Sequence, residues 1–259
     1  MLSLRRTLRG VLLALGFIPV VAAAEILSTG EDTDKVPDPI VVSSVTTSCR
    51  ILWFHRAGSE AELDRLRALG YDITVVDGSP FLALSNLLSY GTVVIAYTGS
   101  DLIADRQADL EAFVDQGGGL LVHQPNHVGA MDYMPHGFDL HINNSVWCAP
   151  GAYVAEIVDA AHPVTAGCSD ADLSGAFDTV GAIGPSWRVL ARNTICGDPA
   201  LAVGVAGLGR VAFDTGNGNT ECVIPGTELY WDHLFSWLCT PGPVAVEPTS
   251  WGYVKASYR

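Results

Sequence analysis

The stretch DLEAFVDQGGGLLVHQPNHVG, Asp109 to Gly129, decides the fold. Leu110, Phe113 and Val114 recur at helical spacing, so one face of this segment is apolar and packs inward. Gly117, Gly118 and Gly119 supply the left-handed backbone that ends a helix and turns the chain tightly. Leu120, Leu121 and Val122 form a short continuous apolar run, the pattern of a strand buried on both faces. His123, Gln124, Asn126 and His127 follow at once. In an open α/β sheet, ligands meet the protein beyond the carboxyl ends of the strands, so these four residues are the first candidates for a binding site.

Upstream the same alternation repeats. Ile51 to Phe54 reads as a strand ending at His55. Ser59 and Glu62 stand as a capping box for a helix lined by Leu63, Leu66 and Leu69 and closed by Gly70. Tyr71 to Val76 is a second strand, ending at Asp77. Ser79-Pro80 then opens a Leu-rich helix running to about Ser89. Thr92 to Tyr97 is a third strand, ending at Thr98, and a helix over 101–116 leads into the glycines. Strands alternating with helices of this length predict parallel βαβ units, hence a flavodoxin-like layered α/β fold with a mainly parallel central sheet. Right-handed crossovers place His55, Asp77, Thr98 and His123 on one edge.

Downstream, residues 124–150 read as a long connection carrying His127, Asp132, His136, Asp139, His141 and Trp147. A connection of that length with no elements of its own is expected to be a lid or a binding loop. Tyr153 to Val158 and Trp187 to Ala191 read as strands. Ala200–Val205 and Arg210–Asp214 form a β-hairpin across Gly207-Leu208-Gly209, and Thr227–Cys239 is a closing helix with apolar Leu229, Leu234, Phe235, Trp237 and Leu238.

The ends differ from this body. Residues 1–24 carry Arg5, Arg6 and Arg9, then an apolar run from Val11 to Val21, then Ala22-Ala23-Ala24, the pattern of a secretory signal peptide. Residues 25–49 read as an extended, polar N-terminal arm, 50–239 as the α/β domain, and 240–259 as a Pro-rich linker with an aromatic and basic tail, SWGYVKASYR. The expected location is therefore outside the cytoplasm: periplasmic, cell-surface or extracellular. No membrane span is expected after cleavage, and the tail is a candidate segment for docking to the envelope. Without the three leader arginines, 11 basic residues face 28 acidic ones, a net charge of −17. Such a surface repels phosphate backbones, which argues against nucleic acid as a partner. All six cysteines follow the leader, and none is spaced as CxxC. In an exported chain this points to disulfides, with several connectivities open. Cys49 with Cys239, tying the start of the first strand to the last helix, is the pairing expected here.

The order of these pieces resembles the ThuA-like (trehalose-utilisation) branch of the class I glutamine amidotransferase-like superfamily. The resemblance rests on the helix and GGGLLVH run at Gly117–His123, the AHPVTAG turn at Ala161–Gly167, SWRVLAR at Ser186–Arg192, the GLGRVAF hairpin at Gly207–Phe213 and the closing aromatic helix. True amidotransferases carry a nucleophilic Cys on the elbow after the Gly-rich strand and a later His to activate it. Here that elbow reads Gln124-Pro125, with no GxCxG and no late His-x-Glu, so glutaminase activity is not expected. The resemblance implies a His at the end of the Gly-rich strand, which His123 matches. Members often have Gly-His after the hairpin strand, where this chain reads Asp214-Thr215-Gly216-Asn217.

Two functions are expected from different classes. One is an exported, non-catalytic binding or accessory domain, with a small molecule or carbohydrate held by His55, Asp77, Thr98, His123, Gln124, Asn126, His127 and Trp147. The alternative is a metal-assisted hydrolase or isomerase acting on a sugar, with His123 or His55 as the catalytic residue. No cofactor is needed by the first reading. The second would take a divalent metal, with His123, His127, Asp132 and His136 as candidate ligands. Pro125 between His123 and His127 argues against a regular helix presenting both imidazoles. DTGNGNTE at Asp214–Glu221 offers oxygen ligands for a hard cation, yet lacks the spacing of an EF-hand loop.

Overall fold

Five strands run parallel, and their order follows from where apolar runs can be buried on both faces. A computed structural model describes residues 49–54, 60–96, 103–123, 129–144, 155–173, 176–177, 179–194, 196–217 and 227–240. Residues 1–24, expected to be a signal peptide, residues 25–48 of the expected arm, and residues 241–259 lie outside these residues. In chain order the elements are β1 (Arg50–Phe54), α1 (Glu60–Ala68), β2 (Asp72–Val76), α2 (Leu84–Leu87), β3 (Thr92–Ala96), α3 (Gln107–Asp115) and β4 (Gly119–His123). There follow β5 (Gly129–Ala130), β6 (Leu140–Asn144), β7 (Ala155–Ile157), β8 (Ala176–Phe177), β9 (Thr179–Ile183) and β10 (Arg188–Asn193). The chain continues with β11 (Pro199–Ala206), β12 (Gly209–Asp214), β13 (Gly216–Asn217) and α4 (Glu228–Leu238).

The main sheet has eight strands in the order β2-β1-β3-β4-β12-β11-β10-β7. The pairs β1–β2, β1–β3, β3–β4 and β4–β12 are parallel, and β12–β11, β11–β10 and β10–β7 are antiparallel. This is the expected layered α/β fold, with the hairpin β11–β12 as read from the sequence. Alternate residues of each strand feed two cores. On one face Leu52, Val93, Leu120 and Val211 pack with Leu110, Phe113 and Val114 of α3. On the other, Ile51, Val94, Leu121 and Ala212 pack with Leu63 and Leu66 of α1 and with Trp231, Leu234 and Phe235 of α4. The period-2 alternation of the strands thus meets the 3.6-residue stripe of the helices on both sides.

Of the three glycines expected to be left-handed, only Gly117 is, and Gly119, the first residue of β4, serves a different purpose. Gly117 adopts φ +103°, a left-handed conformation that ends α3, and its N–H bonds the Val114 carbonyl. Gly119 lets α4 approach. A Cβ there would stand 2.5 Å from the Leu238 carbonyl oxygen and 2.9 Å from Thr92 Oγ1. Gly119→Ala is therefore expected to destabilise the fold by about 1–3 kcal/mol or more, read as a lowered urea midpoint in equilibrium unfolding.

Three expectations need correction. Residues 79–89 do not form one helix: Ser79–Leu82 is a short 3₁₀ turn, Ala83 returns to extended backbone, and α2 spans a single turn. Residues 129–144 are not a lid. Met131, Tyr133, Met134, Phe138, Leu140 and Ile142 are buried in the α3-side core, and β5 and β6 join β9 in a three-stranded antiparallel sheet. Disulfide bonding is also narrower than six cysteines suggested. Cys49 and Cys239 are bonded as expected, whereas Cys168 and Cys196 are free thiols. Cys148 and Cys222 lie outside the described residues.

Among the described residues, no helix is long and apolar enough to cross a membrane. The closing helix is as expected: Thr227 caps it by accepting from the Tyr230 N–H, and its hydroxyl donates to Asp172 Oδ1 at 2.8 Å. Leu229, expected on its apolar face, is exposed instead.

Candidate functional site

His123 ends β4 with the same parity as Leu121, so its ring enters the layer between the sheet and helices α1 and α4. It is only 1% exposed. Register places Ala96 on one side of it and Asp214, the last residue of β12, on the other. Two indoles meet the imidazole at steep angles: Trp53 of β1 at 5.8 Å between centroids, and Trp231 of α4 at 5.2 Å.

Two carboxylates flank the ring. Glu62 of α1 places Oε1 4.0 Å from Nε2, and Asp214 places Oδ2 3.8 Å from Nδ1. Both distances exceed a direct hydrogen bond. Glu62 is 1% exposed and Asp214 is 5% exposed, so each carboxylate has been taken out of water. Asp214 is supported on its other side by the Tyr230 hydroxyl, which donates to Oδ2 at 2.8 Å, and by the Gly216 N–H, which donates to Oδ1 at 2.7 Å. Burial pushes the Asp214 carboxyl above the usual carboxylate range, opposed by His123 and by these two hydrogen bonds. Burial, with Asp214 alongside, raises the Tyr230 hydroxyl well above its ordinary value.

The arrangement does not fit one metal ion. Glu62 addresses Nε2 and Asp214 addresses Nδ1, and the lone-pair directions of the two ring nitrogens diverge. An ion bound at either nitrogen could reach only one of the carboxylates. Among the described residues, no group of three His, Cys, Asp or Glu side chains is arranged to hold a metal.

The other expected site residues do not gather around His123. Asp77 is exposed just past β2, three strand positions from β4. At ordinary strand spacing that is about 14 Å. Asp132 is exposed. His136 is exposed too, and its Nδ1 lies 2.6 Å from both carboxylate oxygens of Glu111 on α3, a surface pair on the opposite face of the sheet. Asp139 and His141 are also exposed, and the Asp139 carbonyl accepts from the Trp187 indole at 3.0 Å. His55, Thr98, Gln124, Asn126, His127 and Trp147 lie outside the described residues.

Sequence reasoning misses three members of the cluster: Glu62, Asp214 and Tyr230. A signal exists for the first. Glu62, Leu66 and Leu69 recur at i, i+4 and i+7, so Glu62 is a charge on the buried stripe of α1. Asp214 shares the parity of Ala212 on β12, which turns it to the His123 face.

The sequence matches no protein-family profile and no curated protein. Solved structures do resemble it. Cytoplasmic Protein STM3548 from Salmonella typhimurium superposes with a TM-score of 0.59 at 17% identity, covering 75% of this chain and 100% of that one. A Thermoplasma acidophilum protein described as a GMP synthase subunit gives 0.52 at 12% identity, covering 81% and 98%. A protein from Parabacteroides merdae described as ThuA-like gives 0.50 at 15% identity, covering 74% and 90%. At such identities the likeness is one of fold. The chain shares the layered, flavodoxin-like α/β fold of these proteins.

Proposed function

We propose that the chain is an exported, non-catalytic binding or accessory domain on an amidotransferase-like fold. The observation that carries this reading is the burial of His123. The strand-end imidazole that the ThuA-like resemblance retains is walled in by Trp53 and Trp231 and offers a substrate no open face. Gln124-Pro125 stands where an amidotransferase has its nucleophilic cysteine. Export is supported by the leader pattern and by the Cys49–Cys239 disulfide, a bond that persists in oxidising compartments. A carbohydrate ligand is supported by the ThuA-like resemblance, with the rim beyond the parallel strands as its place of binding and the 240–259 tail as the docking segment.

Thermal-shift screening of the purified chain against mono- and disaccharides, with metal analysis of the same sample, tests the reading. Saccharide binding without stoichiometric metal is the expected result. Stoichiometric metal that disappears in His123→Ala, together with turnover of a sugar, would establish the metal-assisted hydrolase or isomerase instead. No response to any saccharide would remove the carbohydrate assignment.

A further inference from the structure

The His123 centre concentrates buried polar atoms that have no hydrogen-bond partner among the described residues. Both His123 ring nitrogens and the indole Nε1 atoms of Trp53 and Trp231 are in this condition. The two indoles both contact the imidazole, and all three residues are at least 99% buried. Native interiors pair nearly all such groups, so the two unpaired nitrogens of one buried imidazole call for a further partner.

The chemistry of the surroundings selects that partner. An indole N–H can only donate, as does at least one imidazole nitrogen, so the guest must accept. The Glu62 and Asp214 carboxylates accept and repel negative charge, so the guest must also donate, and an anion is disfavoured. A cation cannot accept from the N–H groups. A sugar has no room between rings 5.2 and 5.8 Å apart. The gaps of 4.0 Å between Nε2 and Glu62 and 3.8 Å between Nδ1 and Asp214 are too long for a direct bond, and polar separations of this kind are the ones a single water spans.

We infer that ordered internal water bridges His123 to Glu62 or Asp214, making the centre a built hydration site. Water in the Asp214 gap links β4 to β12 and on to the Tyr230 hydroxyl of α4, and water in the Glu62 gap links β4 to α1. These links are independent of whether the rim binds a carbohydrate.

A crystal structure of the whole chain, at a resolution that shows ordered solvent, tests this directly. The expected result is a water within about 3.2 Å of a His123 ring nitrogen and of the facing carboxylate in at least one of the two gaps. Two dry gaps would overturn the inference. So would a rotated imidazole bonded directly to Glu62 or Asp214, or density for a larger guest.

Discussion

Replacing Cys49 and Cys239 together by serine is expected to lower the melting temperature of the whole chain by about 10 °C or more. The bond closes a loop with a sequence separation of 190 residues, nearly the full length of the α/β domain. On the chain-entropy account, releasing a loop of that size from constraint in the unfolded state costs about 5 kcal/mol of stability, and native disulfides typically contribute about 2–5. The sulfurs sit at the start of β1 and the end of α4, beside the Thr92 hydroxyl of β3. The folded state therefore loses an anchor for its closing helix as well. Scanning calorimetry with and without a reductant should reproduce the shift in the natural chain. A change below about 2 °C in both experiments would mean that the unfolded chain is not held by this bond.

The second large effect is expected at His123. His123→Leu fills a similar volume with apolar atoms but leaves Glu62 and Asp214 facing the same buried space. Leaving buried polar groups without the polar side chain that faces them costs about 1–3 kcal/mol. Chemical denaturation at neutral pH should show that loss. The deficit should shrink at acid pH, where the Asp214 carboxyl, already raised by burial, takes up a proton.

The natural chain has a related pH dependence. Asp214 is raised in the folded state by burial, with His123, Glu62 and Tyr230 as its titratable neighbours. The stability it contributes as a protonated group is fully present below its unfolded value and is lost as pH rises through the raised folded value. Asp214→Asn should flatten this part of the stability profile. An equal loss of stability in His123→Leu at acid and neutral pH would show that the carboxylates were not what the imidazole compensated.

The parallel half of the molecule is legible because each strand there is a short apolar run ended by polar residues, and each long helix carries a clean stripe. The triple glycine locates β4 and α3 closely, and the pairing of Cys49 with Cys239 follows from which elements begin and end the layer. Residues 129–144 are not legible. Phe138, Leu140 and Ile142 do alternate with exposed Asp139 and His141 at the period of a strand, but the run is short, Met131, Tyr133 and Met134 do not continue it, and Asp132, His136, Asp139 and His141 give the segment a polar look. Those polar residues point outward while the backbone packs on the core.

The site is half legible. His123 can be found from strand position alone, but its partners come from α1, β12 and α4, far apart in the chain and joined only by tertiary register. Glu62 satisfies the spacing of a helix cap, and that local role hides the place of its carboxylate beside the imidazole. Asp214 reads with the turn that follows it, not with the strand that presents it to His123.

The place of β12 in the sheet has a consequence for biosynthesis. β4 is flanked by β3 and β12, yet β12 is among the last strands to leave the ribosome. A nascent chain that stops before Gly209 carries a fully buried type of strand with one bare edge, open to pairing with any other extended segment. Such a polypeptide has no stable halfway house. Its central layer closes only when β12 arrives, so chains terminated before Gly209 should give aggregates in place of a smaller working protein.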